Sequence, residues 1–195
     1  YTILNTLSLH DALPIYGILK HEIGENKKLT FELPIPTHKE AIELVLRILT
    51  NDETKVINSI KEIQAIGHRV VHGGEFFKES TIVTKDVIEK IEQLIPLAPL
   101  HNPANIMGIK ICQELMPNVP NVTVFDTAFH QTMTKENFLY AVPYADYTEH
   151  HLRKYGFHGT SHYYVSNETV KILNKKDSKI IVCHLGNGSS VCAVR

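Results

Sequence analysis

Short β-branched runs alternate with amphipathic helical stretches along this chain, and that alternation most narrows what it can fold into. Residues 28–34, KLTFELP, alternate as a strand. Residues 37–49, THKEAIELVLRIL, place Ala41, Ile42, Val45, Leu46 and Leu49 on one helical face, with Thr37 and Glu40 spaced as a capping box. AIGHRVVHGG, 65–74, reads as a buried strand ending in a glycine pair, and a helix from about 84 to 95 is broken by Pro96 and Pro99. A helix over 103–117 has proline near its start and at its stop. NVTVFDTAF, 121–129, reads as a continuous apolar strand that delivers an Asp at its carboxyl end. SHYYVSNETVKILN reads as a helix, and SKIIVCHLGNGSSVCAVR as strand, glycine-rich turn, strand. Strands interleaved with helices predict the α/β class with a largely buried sheet.

The ends carry a different signal. Residues 1–15, YTILNTLSLHDALPI, contain no initiator Met, and Thr6 to Ile15 are the translation of a common short-read sequencing adapter. The expectation is that 1–15 are non-native, with native sequence starting near Tyr16; raw reads lacking the adapter at that junction would contradict it. The chain also stops inside the second strand of a hairpin, so both ends of the gene are expected to be missing. The expected division is 16–126 as a partial first domain and 127–195 as an interdomain segment, loop-like through VPYADYTEHHLRKYG, and the start of a second domain.

A formal charge of −1, from 20 basic and 21 acidic residues, gives no electrostatic reason to expect nucleic acid or an anionic membrane as partner. Cys112, Cys183 and Cys192 are too scattered for a disulfide framework, which favours a reducing cytoplasm. The apolar runs are strand-length, well short of the roughly 20 residues that span a bilayer. The reading is a soluble, cytoplasmic protein.

Nearly all unusual polar residues collect in GHRVVHGGE (67–75), LAPLHNPAN (97–105), FDTAFHQT (125–132), YGFHGTSH (155–162) and HLGNGSS (184–190). An arginine in a buried β-run, Arg69, needs an anionic partner: either an acid such as Glu75 or the carboxylate or phosphate of a ligand. His101 lies in a loop stiffened by Pro99 and Pro103, poised either to hydrogen-bond a ligand or to cap the next helix. Asp126 ends an apolar strand, where it could serve as general base, hold a metal-bound water, orient Arg69, or cap the following segment. His158 precedes a Thr-Ser pair expected to start a helix near Ser161, a place for an imidazole beside an oxyanion. His162, one turn on, reads equally as surface. In HLGNGSS, backbone donors could approach phosphates, but Asn-Gly is also the preferred two-residue hairpin connection. The His-rich segment raises zinc, yet the spacing of His150, His151, His158, His162 and His184 fits no compact ligand pattern, and no metal ligand is assigned.

Taken together, these five motifs stand in the order and spacing of the acetate and propionate kinase family, which the chain resembles from about residue 34 to 195. The resemblance implies actin-like ATPase (ribonuclease H-like) domains of the sugar-kinase, heat-shock and actin superfamily, the first lacking its opening strand and the second incomplete. It implies reversible, Mg²⁺-dependent phosphoryl transfer from ATP to acetate, giving acetyl phosphate and ADP, in an enzyme that is a homodimer when complete.

By motif, Arg69 resembles the arginine holding the acetate carboxylate, His158 the transition-state histidine, His101 a second imidazole at the substrate, and Asp126 the catalytic aspartate. Val71, Leu100 and Phe157 resemble the acetate methyl pocket, and His184, Leu185, Gly186, Asn187 and Gly188 the loop contacting ATP phosphates. The family's Asn-x-Gly-Ser-Ser-Ser loop is replaced here by residues 1–15. Its second catalytic arginine, adenosine loops and magnesium-associated glutamate lie beyond residue 195, so the chain by itself is expected to be inactive and to aggregate. A propionate or other short-chain acyl kinase is the alternative, with Val71 leaning toward acetate; a non-catalytic nucleotide-binding remnant is more distant.

Overall fold

The computed structural model describes residues 17–23 and 27–195, so the expectation for residues 1–15 lies outside the described residues. The chain divides into two units, which are described in turn.

One unit holds the described residues up to Ile66 together with Met107–Asn121. Its first element, β1 (Gly17–Ile23), has no counterpart in the sequence reading; it pairs antiparallel with β2 (Lys27–Leu33), from Gly17 opposite Leu33 to Ile23 opposite Lys27. Helix α1 (His38–Thr50) starts where the Thr37 hydroxyl accepts the Glu40 N–H at 3.3 Å, the cap that the sequence anticipates. Leu19, Ile35, Ala41, Ile48 and Ile109 are buried here. The fully buried His21 donates from Nε2 to the Thr54 carbonyl at 2.8 Å.

The second unit comprises Gly67–Ile106 and Val122–Arg195. Strands β3 (Ile66–Val70), β4 (Thr81–Ile82) and β5 (Asn121–Phe125) form a sheet in the order β3-β5-β4. β4 runs antiparallel to β5, with Thr81 opposite Thr123. Helix α2 (Lys85–Gln93) is capped by Thr84, whose hydroxyl accepts the Val87 N–H. α3 (Asn102–Leu115) begins here, its residues from Met107 on being counted with the first unit; then come α4 (Lys135–Phe138), α5 (Tyr144–His150), α6 (Gly159–Leu173) and an antiparallel hairpin of β6 (Ile180–Leu185) with β7 (Ser189–Val194). Phe77 stacks on Phe125 of β5, centroids 4.2 Å apart, and both are buried.

Three expectations are corrected. The described strands form three small sheets rather than one largely buried one. VPYADYTEHHLRKYG is not wholly loop-like: it contains α5, tied down where the Tyr147 hydroxyl and Arg153 Nη1 donate to Glu75 Oε1 at 3.0 and 2.6 Å. The hairpin turn is not a two-residue Asn-Gly connection: Leu185 pairs with Ser189 across Gly186, Asn187 and Gly188, none of which takes the left-handed conformation such a turn requires. Among the described residues, no helix is long and apolar enough to cross a membrane.

Candidate active site

The loop leaving β3 has lost the strand's ladder, so its backbone polar groups need other partners. Side chains from two of the polar motifs supply them. Asn105 Oδ1 accepts the Val71 N–H at 3.1 Å. Asn102, fully buried, accepts the His72 N–H at 3.2 Å and donates to the His72 carbonyl at 3.1 Å. Thr127 Oγ1 accepts the Gly73 N–H at 3.0 Å, and Gln131 donates to the Gly74 carbonyl at 2.8 Å. Gly73 is required by proximity, since a Cβ there would lie 2.8 Å from the Phe125 ring. Gly74 is required by conformation, at φ 55°. His72 Nδ1 accepts the Gly74 N–H, so this imidazole is held neutral; burial pushes its pKa down from 6.5 to about 4.

At the end of β5, Asp126 is buried while its partner Arg69 reaches outward, its side chain 61% exposed. Arg69 donates from Nε to Oδ1 at 3.0 Å and from Nη2 to Oδ2 at 2.5 Å. This corrects one expectation, since Arg69 is not buried; of the two acids the sequence offered it, Asp126 is the partner, while Glu75 is held by Arg153. The pair uses one edge of the guanidinium and leaves the Nη1 side turned away from Asp126. The Asp126 main chain is bound as well, its N–H to the Val70 carbonyl at 3.1 Å and its carbonyl to the Gly159 N–H at 2.9 Å. A Cβ on Gly159 would collide with that carbonyl, so only glycine lets α6 begin there.

The helix therefore starts two residues before the expected Ser161, with His158 as N-cap at φ 54° and no side-chain cap from the Thr-Ser pair. His158 Nδ1 lies 2.8 Å from Ser190 Oγ, and its ring stacks on His184 with centroids 4.1 Å apart. His184 Nδ1 lies 3.0 Å from Ser161 Oγ. His162 is not surface: it is 1% exposed, and its Nε2 sits 2.7 Å from the same Ser190 Oγ. His130, also buried, donates from Nε2 to the Phe157 carbonyl at 3.0 Å. Gly156, at φ 76°, packs on the His130 ring. Burial and the neighbouring imidazoles lower the pKa values of His158 and His162.

Val71, Leu100, His101 and Phe157 line one cavity of about 290 Å³ with Ala98 and Pro99. Val71 is buried there, whereas Leu100 and His101 are exposed. Leu185, Gly186, Asn187 and Gly188 lie exposed in the hairpin turn, and a Cβ on Gly188 would lie 3.3 Å from His158 Nε2. The structure thus brings Arg69 to Asp126 and gathers His158 with His184 and the turn. Sequence reasoning missed His130, Ser190 and the structural roles of Asn102 and Asn105. The His162 signal was available, because residues four apart share a helix face. Among the described residues, no group of three or more His, Cys, Asp and Glu is arranged to hold a metal ion.

Chemically, a guanidinium edge, several imidazoles and a glycine-rich turn beside a small apolar cavity suit an anion that develops charge during group transfer. Comparison with known proteins agrees in kind. Residues 7–195 match the model of the Acetokinase family. The chain is 55% identical over 179 residues to an acetate kinase from Thermotoga petrophila, covering 91% of this chain and 44% of that one. It superposes on the crystal structure of Porphyromonas gingivalis acetate kinase with a TM-score of 0.86 at 45% identity, covering 92% of this chain and 46% of that one. A propionate kinase from Francisella tularensis gives a TM-score of 0.80 at 43% identity, with coverages of 93% and 48%. The chain spans less than half the length of these relatives.

Proposed function

The chain belongs to the Acetokinase family, with its actin-like α/β fold, and from that premise we propose that the full-length protein transfers the γ-phosphoryl group of MgATP to acetate. The observation that carries this reading is the Arg69–Asp126 pair, whose free guanidinium edge lies in the same unit as the cavity lined by Val71, Leu100, His101 and Phe157.

Arg69 holds the acetate carboxylate and faces the transferring phosphoryl; Asp126 fixes the guanidinium and balances its charge. Val71, Leu100 and Phe157 receive the methyl group. His101 and His158 donate hydrogen bonds to phosphoryl oxygens as an acetate oxygen bonds to phosphorus and the bond to ADP breaks. His184, Leu185, Gly186, Asn187 and Gly188 meet the nucleotide phosphates. Mg²⁺ enters with the nucleotide as part of the substrate. No residue here is assigned to the metal; Asp126 accepts one bond from Arg69 on each oxygen and keeps a further lone pair on each. A homodimer and a cytoplasmic location complete the proposal; they rest on the family resemblance and, for location, on the free Cys112, Cys183 and Cys192.

The test is trapping of acetyl phosphate as its hydroxamate by the full-length protein with MgATP and acetate. Acetyl hydroxamate is expected, with kcat/KM about 100-fold lower in Arg69→Lys, which cannot fork onto Asp126 and still face substrate. No product from the full-length protein, or an undiminished Arg69→Lys, would sink the reading. A kcat/KM for propionate above that for acetate would select the propionate kinase alternative instead.

A further inference from the structure

His162 Nδ1 is buried and has no hydrogen-bond partner, while its Nε2 sits 2.7 Å from Ser190 Oγ. A neutral imidazole carries one proton, and placing it on Nδ1 would strand a buried donor. The proton therefore belongs on Nε2, which donates to Ser190. Having accepted there, the single hydroxyl proton of Ser190 is turned to its other neighbour, His158 Nδ1, 2.8 Å away. His158 Nδ1 is then an acceptor, and the proton of that ring sits on Nε2. This nitrogen is the one that faces the hairpin turn, since a Cβ on Gly188 would come within 3.3 Å of it.

We infer that His162 and Ser190 are positioning residues that fix the tautomer of His158, so that it presents an Nε2–H donor toward the Gly186–Gly188 turn. The inference deepens the proposed function and rests on it for the identity of the acceptor, a phosphoryl oxygen. The one-way direction of the chain comes from the partnerless Nδ1 of His162, where a bare lone pair is the less costly group to leave unpaired than an N–H. The groups bearing on His158 are His184 in β6, His130 in the turn after β5, Asp126, and Arg69 in β3. Apart from Asp126 these disfavour a charged ring, as does its burial, which keeps the chain neutral and directional. The stack on His184, itself held by Ser161, fixes the plane of the donor.

The test is long-range 1H–15N correlation of histidine-labelled full-length protein near pH 7.5, which distinguishes imidazole tautomers directly. His158 and His162 are both expected protonated on Nε2. Ser190→Ala should release His158 into a tautomer mixture and lower kcat about 10-fold with KM for acetate little moved, as when the hydrogen-bond partner orienting an active imidazole is removed. Ser190→Thr, which keeps the hydroxyl, should restore the tautomer and most of the rate. His158 protonated on Nδ1 in the wild type, or an unchanged tautomer in Ser190→Ala, would overturn the inference. His158→Ala with undiminished kcat would remove instead the phosphoryl role assigned to His158, and the tautomer reading would still decide the hydrogen-bond chain.

Discussion

His72 shows how one buried side chain can set the acid sensitivity of its surroundings. Its Nδ1 accepts from Gly74, and its ring meets Tyr155 edge-on at 4.5 Å, so a proton added there faces an N–H group and no anion. Its folded pKa of about 4 lies below the ordinary 6.5, so between those values the unfolded chain binds more protons. The stabilisation is complete above pH 6.5 and is lost as pH falls toward 4, amounting to about 3 kcal/mol. Urea melts at pH 7 and pH 4.5 should show this loss, and His72→Gln should flatten it; an equally steep loss in the variant would contradict the assignment. Residues such as Arg69 and Asp126 were legible in the sequence because charge in an apolar run demands an explanation. The direction of the ion pair was not, since Glu75 and Asp126 are both acids near in motif space. Ser190 was hidden because it lies on a hairpin more than twenty residues from α6; the spacing of His158 and His162 says that they share a helix face, while which face is buried depends on that hairpin.

At the scale of elements, the loop after β3 is held by side chains where a strand would be held by backbone. Asn102 makes two bonds to His72 and is fully buried at the start of α3, so it fastens helix to loop. Asn102→Ala would leave a buried N–H and a buried C=O without partners, at a cost of about 2–4 kcal/mol. Denaturant unfolding should register it; a loss below 0.5 kcal/mol, as at an ordinary surface position, would contradict that fastening. Helix α1 was legible because Thr37 carries a local cap signal, and α2 because its amphipathic spacing runs to a stop at Pro96. α5 was not, because its seven residues are fixed by Tyr147 and Arg153 converging on Glu75, a distant partner. The turn over Gly186–Gly188 misled for a different reason: its glycine is set by the approach of the His158 ring, whereas Asn-Gly chemistry alone points to a two-residue turn.

For the whole molecule, the outer faces of α6 and the β6–β7 hairpin are apolar and uncovered: Ile172 is 83% exposed, Ile181 73%, Leu185 76% and Val191 66%. Surface of this kind drives association. The 195 residues expressed alone should therefore form polydisperse aggregates in light scattering and bind a hydrophobic dye, whereas the full-length protein should scatter as a monodisperse dimer and leave the dye unbound; a monodisperse, dye-free 195-residue chain would contradict this. A last consequence follows from Asp126, whose side chain grips Arg69 while its carbonyl receives the first N–H of α6. The residue therefore ties the guanidinium and the start of α6 to a single position in the chain. The 195 residues contain no Trp, and Tyr163 stands on the first turns of α6, 58% exposed against Phe129. Tyr163→Trp would make that link an optical gauge: under the role proposed for Arg69, its emission is expected to shift as acetate is added to the full-length protein and to stay still in Arg69→Lys.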